Sequence, residues 1–277
     1  MTTKLFLFLA IVPMTLSFSL AGERTSAVYE MRTYCAPPGR LDDLHARFRD
    51  HTLKLFEKHG ITSIGYWVPI ENPDNKLIYL VSYPSLEARD ASFKAFFADA
   101  EWQDVRKKTE AKGSIVTKVE SLFLTPTDYS PEIKPSVAEG RVFELRTYTA
   151  SAGNLGNLNA RFRDHTLTLF TKHGMTNIGY FVLLKQQPKS SAEMSEEERA
   201  NLGRSVPTKE QPGSDQTLVY ILAHKSQEAA KASFDVFRKD PDWLAARKAS
   251  EEKGGGSLTV SEGVKSVFVK ATDYSPM

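Results

Sequence analysis

The sequence predicts an α+β fold built from two tandem βαββαβ units, and two observations support this prediction. The chain repeats itself, because residues 29–66 align without gaps with residues 143–180 and 25 of these 38 positions are identical. Each copy also follows the order strand, helix, strand, strand, helix, strand in its pattern of apolar and β-branched residues. This order is that of a ferredoxin-like unit, in which two helices cover one face of a four-stranded antiparallel sheet.

Local signals set the elements of the first copy. Residues 27–34 alternate apolar and polar side chains, as a half-buried strand does. Pro38-Gly39 opens the first helix and Gly60 ends it, while Asn72-Pro-Asp-Asn75 marks a turn between two strands. The predicted strands are 27–34, 61–70, 77–83 and 114–124, and the predicted helices are 38–59 and 85–112, the second with a break near residue 101.

The repeat defines the domain organisation. The two copies are predicted at 27–129 and 141–275, joined by a semi-rigid linker at 130–140 that contains two prolines. The second copy carries an insertion at 185–216, rich in Ser, Pro, Glu and Lys, which we expect to be an exposed hairpin loop. Ser195-Glu-Glu-Glu198 resembles a capping box and could start one short helix there. Each copy ends in the same Thr-Asp-Tyr-Ser-Pro motif.

The first 21 residues have the pattern of a secretory signal. Lys4 precedes an apolar run, and small residues follow up to Ala21, where cleavage is expected. The mature protein is therefore expected to be exported, either periplasmic or secreted, and no later run is apolar enough to span a membrane. A retained N-terminal anchor is the alternative.

Composition excludes several classes of function. The formal net charge is +2 and the basic residues are not clustered, so no nucleic-acid partner is predicted. Cys35 is the one cysteine, and its counterpart in the second copy is Thr149, which argues against a catalytic thiol. No His or Cys pair has metal-ligand spacing, and no phosphate-binding loop is present, so neither a metal nor a cofactor is predicted.

The first strand of each copy supplies the candidate site residues. Its alternation separates an apolar set, which we expect beneath the helices, from a mixed set, which we expect to face the other sheet. Two sheets facing each other in this way would close a barrel. The mixed set would either fasten the sheets through Glu–Arg pairs or line a cavity between them, and fastening is preferred. The candidate cavity-lining residues are Glu30, Arg32, Tyr34, Glu144, Arg146 and Tyr148.

The first helix contributes secondary candidates. His51 and His165 lie at the edge of the apolar stripe, where a general acid or base is one reading and a structural hydrogen bond is the preferred one. Arg47 and Arg49 are interpreted as a solvated face with local ion pairs. Leu53 points away from the stripe on a regular helical wheel, which leaves self-association open.

Several motifs resemble those of the NIPSNAP family. Val28-Tyr-Glu-Met-Arg-Thr-Tyr34 looks like the opening of a NIPSNAP domain, and Ile64-Gly-Tyr-Trp67, Arg89 and Trp102 also match its pattern. The resemblance implies the dimeric α/β-barrel superfamily, whose other branches include cofactor-free monooxygenases and haem-degrading enzymes. The second copy departs from the pattern because Ala230 stands in place of Arg89 and His224 in place of Tyr83.

Two functions remain in contention. The preferred one is a non-catalytic binding or scaffold protein with a small-molecule ligand or a protein partner. The alternative is a cofactor-independent oxygenase or isomerase that uses a cavity between the two sheets, with Arg89 as a further candidate residue.

Overall fold

The computed structural model describes residues 27–133, 141–190, 192–196 and 208–277. Within these ranges the protein is a mixed α/β fold, in which antiparallel strands close into a barrel and helices lie outside it. The strands are β1 (Val28–Cys35), β2 (Thr62–Pro69), β3 (Lys76–Tyr83), β4 (Lys118–Pro126), β5 (Val142–Ala150), β6 (Thr176–Leu183), β7 (Gln186–Pro188), β8 (Thr208–Glu210), β9 (Thr217–His224) and β10 (Thr259–Ala271).

The helices pack against the outer face of the barrel. They are α1 (Leu41–Arg47), α2 (Leu53–Lys58), α3 (Leu86–Ala98), α4 (Ala100–Thr109), α5 (Leu155–Arg161), α6 (Leu167–Lys172), α7 (Gln227–Phe237) and α8 (Pro241–Gly254). The break predicted near residue 101 occurs at Asp99, whose side chain accepts a hydrogen bond from the Glu101 N–H and so caps α4.

Strand order around the barrel is β1-β3-β2-β10-β5-β9-β6-β4. Each half contributes four neighbouring strands, and the edges of one half pair with the edges of the other. Leu124 of β4 lies opposite Leu183 of β6, and Trp67 of β2 lies opposite Ala271 of β10. No strand of the barrel is therefore left with an unpaired edge.

The barrel interior is apolar. Met31, Leu80 and Leu124 of the first half meet Phe143 and Ile221 of the second half in one buried cluster. Trp67 is fully buried in the same cluster. Its ring lies directly over the preceding Gly65, where a Cβ atom would come within 2.4 Å of the ring. This close approach explains why the β2 motif requires glycine two residues before the tryptophan.

The predicted facing of the first strands is therefore wrong. The apolar set, including Met31 and Phe143, points into the barrel, whereas the mixed set points outward beneath the helices. The reason is that the barrel interior offers mainly apolar contacts, whereas the outer layer supplies Arg89, Tyr83 and His224 as partners for the buried carboxylates. The mixed set of residues is Glu30, Arg32, Tyr34, Glu144, Arg146 and Tyr148.

A π-helical segment interrupts the first helix of each half, at Phe48–Thr52 and Phe162–Thr166. The hydroxyl of Thr52 donates to the carbonyl of Arg47, five residues earlier, at 3.1 Å, and Thr166 does the same for Arg161 at 3.0 Å. The wider turn shifts the helical phase that a regular wheel assumes. Leu53 consequently packs in part against the core of its own half, and the prediction that it points away from the stripe is wrong.

The insertion in the second half begins and ends as a hairpin. Strands β7 and β8 pair antiparallel, and Glu197 to Pro207, where most of the predicted short helix would lie, is outside the described residues. Gln211 anchors the hairpin to the barrel, because its amide accepts from the Phe123 N–H at 2.9 Å and donates to the Phe123 carbonyl at 2.8 Å. The same amide donates to the Leu184 carbonyl at 2.9 Å.

The repeated Thr-Asp-Tyr-Ser-Pro motifs fasten each half to the other. In the second-half motif, Asp273 accepts two hydrogen bonds from Arg49, at 2.7 and 2.8 Å. The Tyr274 hydroxyl meets His45 Nδ1 at 2.8 Å, and the Ser275 hydroxyl accepts from a backbone N–H of β2 at 2.9 Å. Arg49 therefore makes a contact across the two halves rather than the local ion pair expected of it.

The first-half motif mirrors this arrangement. Asp128 accepts from Arg163 at 2.8 and 2.6 Å, and the Tyr129 hydroxyl donates to Asn159 at 2.6 Å. The Ser130 hydroxyl accepts from a backbone N–H of β6 at 3.0 Å. The two halves thus hold each other through a reciprocal pair of tails.

No helix in the part of the chain that the structure describes is long and apolar enough to cross a bilayer.

The reciprocal tails predict one cooperative unfolding transition for both halves. Tyr274→Ala removes a half-buried ring packed against Phe48 and Tyr66, and should lower the free energy of unfolding by about 2 kcal/mol. Tyr129→Ala, its counterpart, should cost a similar amount. Urea denaturation followed by circular dichroism and by tryptophan fluorescence tests this. Two separate transitions in the unmodified protein would contradict the prediction, and Tyr274→Phe serves as the control that keeps the ring.

Candidate functional site

A buried carboxylate organises the space between sheet and helices in the first half. Glu30 is fully buried and accepts a hydrogen bond from Arg32 at 2.5 Å. Arg89, from α3, donates to the same carboxylate at 3.0 and 3.2 Å. The Tyr83 hydroxyl lies 3.4 Å from it, and Arg32 also reaches the Tyr34 hydroxyl at 3.3 Å. Glu30 is therefore a fully paired structural carboxylate.

The charges around Glu30 fix its protonation state. Burial alone would raise its pKa, but the Arg32 and Arg89 guanidinium groups together lower the pKa below the usual range. The burial of Tyr83 raises the pKa of its phenol well above 10. Near neutral pH the cluster thus contains the Glu30 carboxylate, two guanidinium groups and the neutral phenol of Tyr83.

The second half repeats the cluster with different partners. Glu144 is bonded to Arg146, to His224 Nε2 at 3.0 Å and to the Ser266 hydroxyl at 2.5 Å. Arg146 donates further to the Tyr220 hydroxyl at 2.8 Å and to the Tyr148 hydroxyl at 3.1 Å. Burial would raise the pKa of Glu144, but the His224 hydrogen bond and the Arg146 charge lower it overall.

The substitution of Ala230 for Arg89 distinguishes the two clusters. Arg89 lies between the rings of Phe93 and Phe123, at 4.5 and 5.3 Å from their centroids, and fills the space above Glu30. Ala230 places no side chain of comparable size above Glu144. The layer between sheet and helices in the second half therefore lacks the large cation that Arg89 places there in the first half.

A cavity of about 300 Å³ lies in this layer of the second half, between the barrel and helices α5 to α8. Arg146 and Tyr148, two of the predicted site residues, line this cavity, which lies on the outer face of the sheet and is not the predicted cavity between the sheets. The cavity is lined by Arg146, Tyr148, Arg161, Phe162, Thr166, Phe170, Phe234, Phe237, Arg238, Trp243, Arg247, Glu251, Ser257, Thr259 and Val264.

Arg161 is the unusual member of this lining. It is only 7% exposed, and no carboxylate of the described residues lies within 4 Å of its guanidinium group. Its Nη1 reaches the Ser250 hydroxyl at 3.4 Å, its Nε has no partner, and its guanidinium carbon lies 5.2 Å from the centroid of the Trp243 ring. Burial lowers the pKa of this guanidinium, and the charge of Glu251, which lies beyond ion-pairing distance, opposes this shift only in part. A buried unpaired cation facing a cavity is a ready anion site.

The histidines predicted as secondary candidates lie elsewhere. His51 is half-buried and lines a surface groove of about 360 Å³ beside Arg40, Asp50 and Lys108 in the first half. His165 is exposed. Neither lines the cavity of the second half. Among the residues with described positions, no three His, Cys, Asp or Glu side chains are grouped as a metal site would need.

Sequence reasoning missed Arg161 and the aromatic walls of the cavity. The sequence analysis interprets Arg47 as part of a solvated face and assigns no role to Arg161, whereas both side chains are buried in the structure. The signal that could have identified this arrangement is that Arg47 and Glu110 of the first copy recur as Arg161 and Glu251 at the aligned positions of the second copy.

Breaking the Glu30 cluster should destabilise the protein. Arg89→Ala leaves a buried carboxylate with one cation, so the free energy of unfolding at pH 7 should fall by about 3 kcal/mol. Arg238→Ala, which removes an exposed ion pair, is the control and should cost less than about 1 kcal/mol. Chemical denaturation measures both, and equal effects would contradict the central role of Glu30.

The same variant changes the response to acid. Because the folded pKa of Glu30 is lowered, its stabilising contribution is complete above the unfolded value of about 4.3 and is lost as pH falls through the folded value. Arg89→Ala removes one of the cations that lower the pKa of Glu30 in the folded state. The loss of stability between roughly pH 4.5 and pH 3 should therefore be smaller in this variant than in the unmodified protein. Denaturation midpoints across this range test the sign.

Comparisons with known proteins agree with the fold. The NIPSNAP family model matches residues 29–131. A "Protein NipSnap homolog" from Dictyostelium discoideum is 31% identical over 132 residues, which cover 47% of this chain and 52% of that protein. This chain therefore spans about half the length of that relative.

Two solved structures illustrate the matches of this chain. An anthrone oxidase-like protein superposes with a TM-score of 0.51 at 11% identity, over 91% of this chain and 94% of the other. An uncharacterized NIPSNAP-like domain protein from Burkholderia xenovorans is 22% identical, covers 42% of this chain and 97% of its own, and has a TM-score of 0.36. At these identities the first likeness concerns the fold alone. The first repeat of this chain is thus similar to NIPSNAP domains.

Proposed function

We propose that this protein binds a small organic molecule in the second-half cavity and does not convert it chemically. The observation that carries the proposal is Arg161, a buried cation without a carboxylate partner, in the wall of a cavity of about 300 Å³. This volume is at the lower end of the range for ligand pockets, and aromatic walls with a few polar groups are their usual lining.

The bonding of the neighbouring polar groups supports binding rather than acid–base catalysis. Arg146 has its guanidinium engaged by Glu144, Tyr148 and Tyr220. The pKa of Tyr220 is raised well above 10 by burial, so this phenol is no base near neutral pH. The polar groups of the cluster are thus committed to one another.

The alternative, a cofactor-independent oxygenase or isomerase, requires a cavity between the two sheets that is lined by the candidate residues. These residues lie instead beneath the helices, namely Glu30, Arg32, Glu144 and Arg146. The surface of the described barrel interior is formed by apolar side chains such as Leu80 and Ile221, which cannot move protons.

We also propose that the chain consists of two ferredoxin-like units, at 27–129 and 141–275, with a linker at 130–140 and a hairpin insertion at 185–216. The order β4-β1-β3-β2 within the first half and β10-β5-β9-β6 within the second supports this division.

Export remains part of the proposal. The signal-like residues 1–21 lie outside the described residues. If the pattern acts as a signal, N-terminal sequencing of the protein from the periplasm or medium should start at Gly22. Recovery of the chain inside the cell with its leader intact would contradict export.

Ligand binding can be tested with a neutral fluorescent probe, N-phenyl-1-naphthylamine. Its fluorescence should increase on binding to the unmodified protein. Thr259→Trp places an indole in the cavity and should weaken binding at least tenfold. Val116→Trp, at the corresponding position of the first half, is the matched control and should leave binding unchanged.

Equal binding by both variants would overturn the location of the site. Consumption of oxygen or formation of a product from the bound probe would contradict the non-catalytic part of the proposal.

A further inference from the structure

The two halves share one arginine on the first helix and an arginine and a glutamate at the last helix, but they arrange these three residues differently. In the first half, Arg47 donates to one oxygen of Glu110 at 2.8 Å, and Arg106 donates to the other oxygen at 3.2 Å. The first-half arginine is therefore paired with a carboxylate of its own chain. The pKa of Glu110 is lowered overall, because these two arginines outweigh its burial.

The corresponding second-half residues are Arg161, Arg247 and Glu251. Glu251 keeps its contact with Arg247, at 3.0 Å, as Glu110 keeps its contact with Arg106. It is not within ion-pairing distance of Arg161. The ion pair between Arg47 and Glu110 in the first half thus has no counterpart between Arg161 and Glu251 in the second half.

The last helices explain the difference. Helix α4 ends at Thr109, so Glu110 lies just past the helix and can turn towards Arg47. Helix α8 continues to Gly254 and ends on Gly255, whose φ of +73° suits a left-handed helix cap. Glu251 therefore remains within the helix, beside Arg247. Three consecutive glycines, Gly254 to Gly256, stand at the end of this helix, and the left-handed conformation of Gly255 ends it.

The geometry points to an aromatic monocarboxylate as the ligand of the second-half cavity, with its carboxylate against Arg161 where Glu110 lies against Arg47. This inference rests on the proposed binding function and adds the chemical class of the ligand. The first half shows within the same chain that this arginine position accepts a carboxylate. A guanidinium fork matches a carboxylate in shape and hydrogen bonding.

The charged residues that line the cavity favour a ligand with a single negative charge. Arg146 is paired with Glu144, Arg247 with Glu251 and Arg238 with Asp235. Arg161 is the arginine of this lining without a described carboxylate partner. A dianion would need a second unpaired cation in the cavity.

The aromatic walls of the cavity favour a ligand with a flat apolar ring system. Six aromatic side chains line the cavity, and Trp243 stacks against the Arg161 guanidinium, which orients the cation. Offset and edge-to-face contacts with such walls favour an aromatic ring. The aromatic residues of the lining are Tyr148, Phe162, Phe170, Phe234, Phe237 and Trp243.

The test compares 2-naphthoate with its neutral counterpart 2-naphthamide by isothermal titration calorimetry on the whole chain at pH 7. The acid should bind at least tenfold more tightly than the amide, since a charge-assisted hydrogen bond to a buried group contributes about 1.5 to 3 kcal/mol. Arg161→Gln should abolish this preference. Arg47→Gln, the matched first-half variant, should retain it.

A second variant separates the loss of ligand binding from a loss of folding. Ser250→Asp places a carboxylate next to Arg161 without removing the arginine. It should weaken naphthoate binding at least tenfold, leave amide binding unchanged and not lower the melting temperature.

The outcomes separate this inference from the proposed function. If acid and amide bind equally and Thr259→Trp abolishes both, the cavity binds ligands but the carboxylate assignment is overturned. Unchanged preference for the acid in Arg161→Gln and Ser250→Asp also overturns it. Failure of both compounds, with the neutral probe still bound at the cavity, overturns the aromatic carboxylate class alone.

Discussion

Edge pairing between the two halves determines the rest of this structure. A four-stranded sheet covered by helices on one face has an apolar second face and two open edges, and neither is stable in water. Here β4 pairs with β6 and β2 pairs with β10, so one barrel closes both edges and encloses both apolar faces. The polar residues of the first strands are then forced to the outer side, where helices cover them and hydrogen bonds must satisfy them.

The repeat and its alternation were sufficient to predict the element order and the barrel, but not which face of each sheet points inward. Alternation separates Glu30 from Met31, yet both faces of this sheet are buried. The pattern does not say which face lines the barrel interior and which lies beneath the helices. In the first half, the outer-face partner of Glu30 is Arg89, which reaches it from a helix 59 residues later in the sequence. Such a long-range pairing has no local signal.

The π-helical segments escaped sequence reasoning for a related reason. The i to i−5 turn at Phe48–Thr52 is stabilised by a threonine hydroxyl and by tertiary packing, and neither alters local helix propensity. The shifted phase moved Leu53 towards the core. The closing tails were visible as repeated motifs, but their exchange between halves required the structure.

Divergence after duplication is concentrated around a shared framework. The first half keeps Arg89 over Glu30 and pairs Arg47 with Glu110, so its helical layer is satisfied internally. The second half has Ala230 in place of that arginine and a longer last helix that holds Glu251 away from Arg161. One half thus supports the fold while the other retains a cavity with an unpaired cation.

The central claim is that this cavity, rather than the barrel interior, receives the ligand. A crystal structure of the protein grown with 2-naphthoate tests it most directly. The account predicts electron density for one naphthoate in the second half, with its carboxylate on Arg161, while Glu110 still occupies Arg47. A naphthoate between the two sheets, or Glu251 turned onto Arg161 with the cavity closed, would contradict the account.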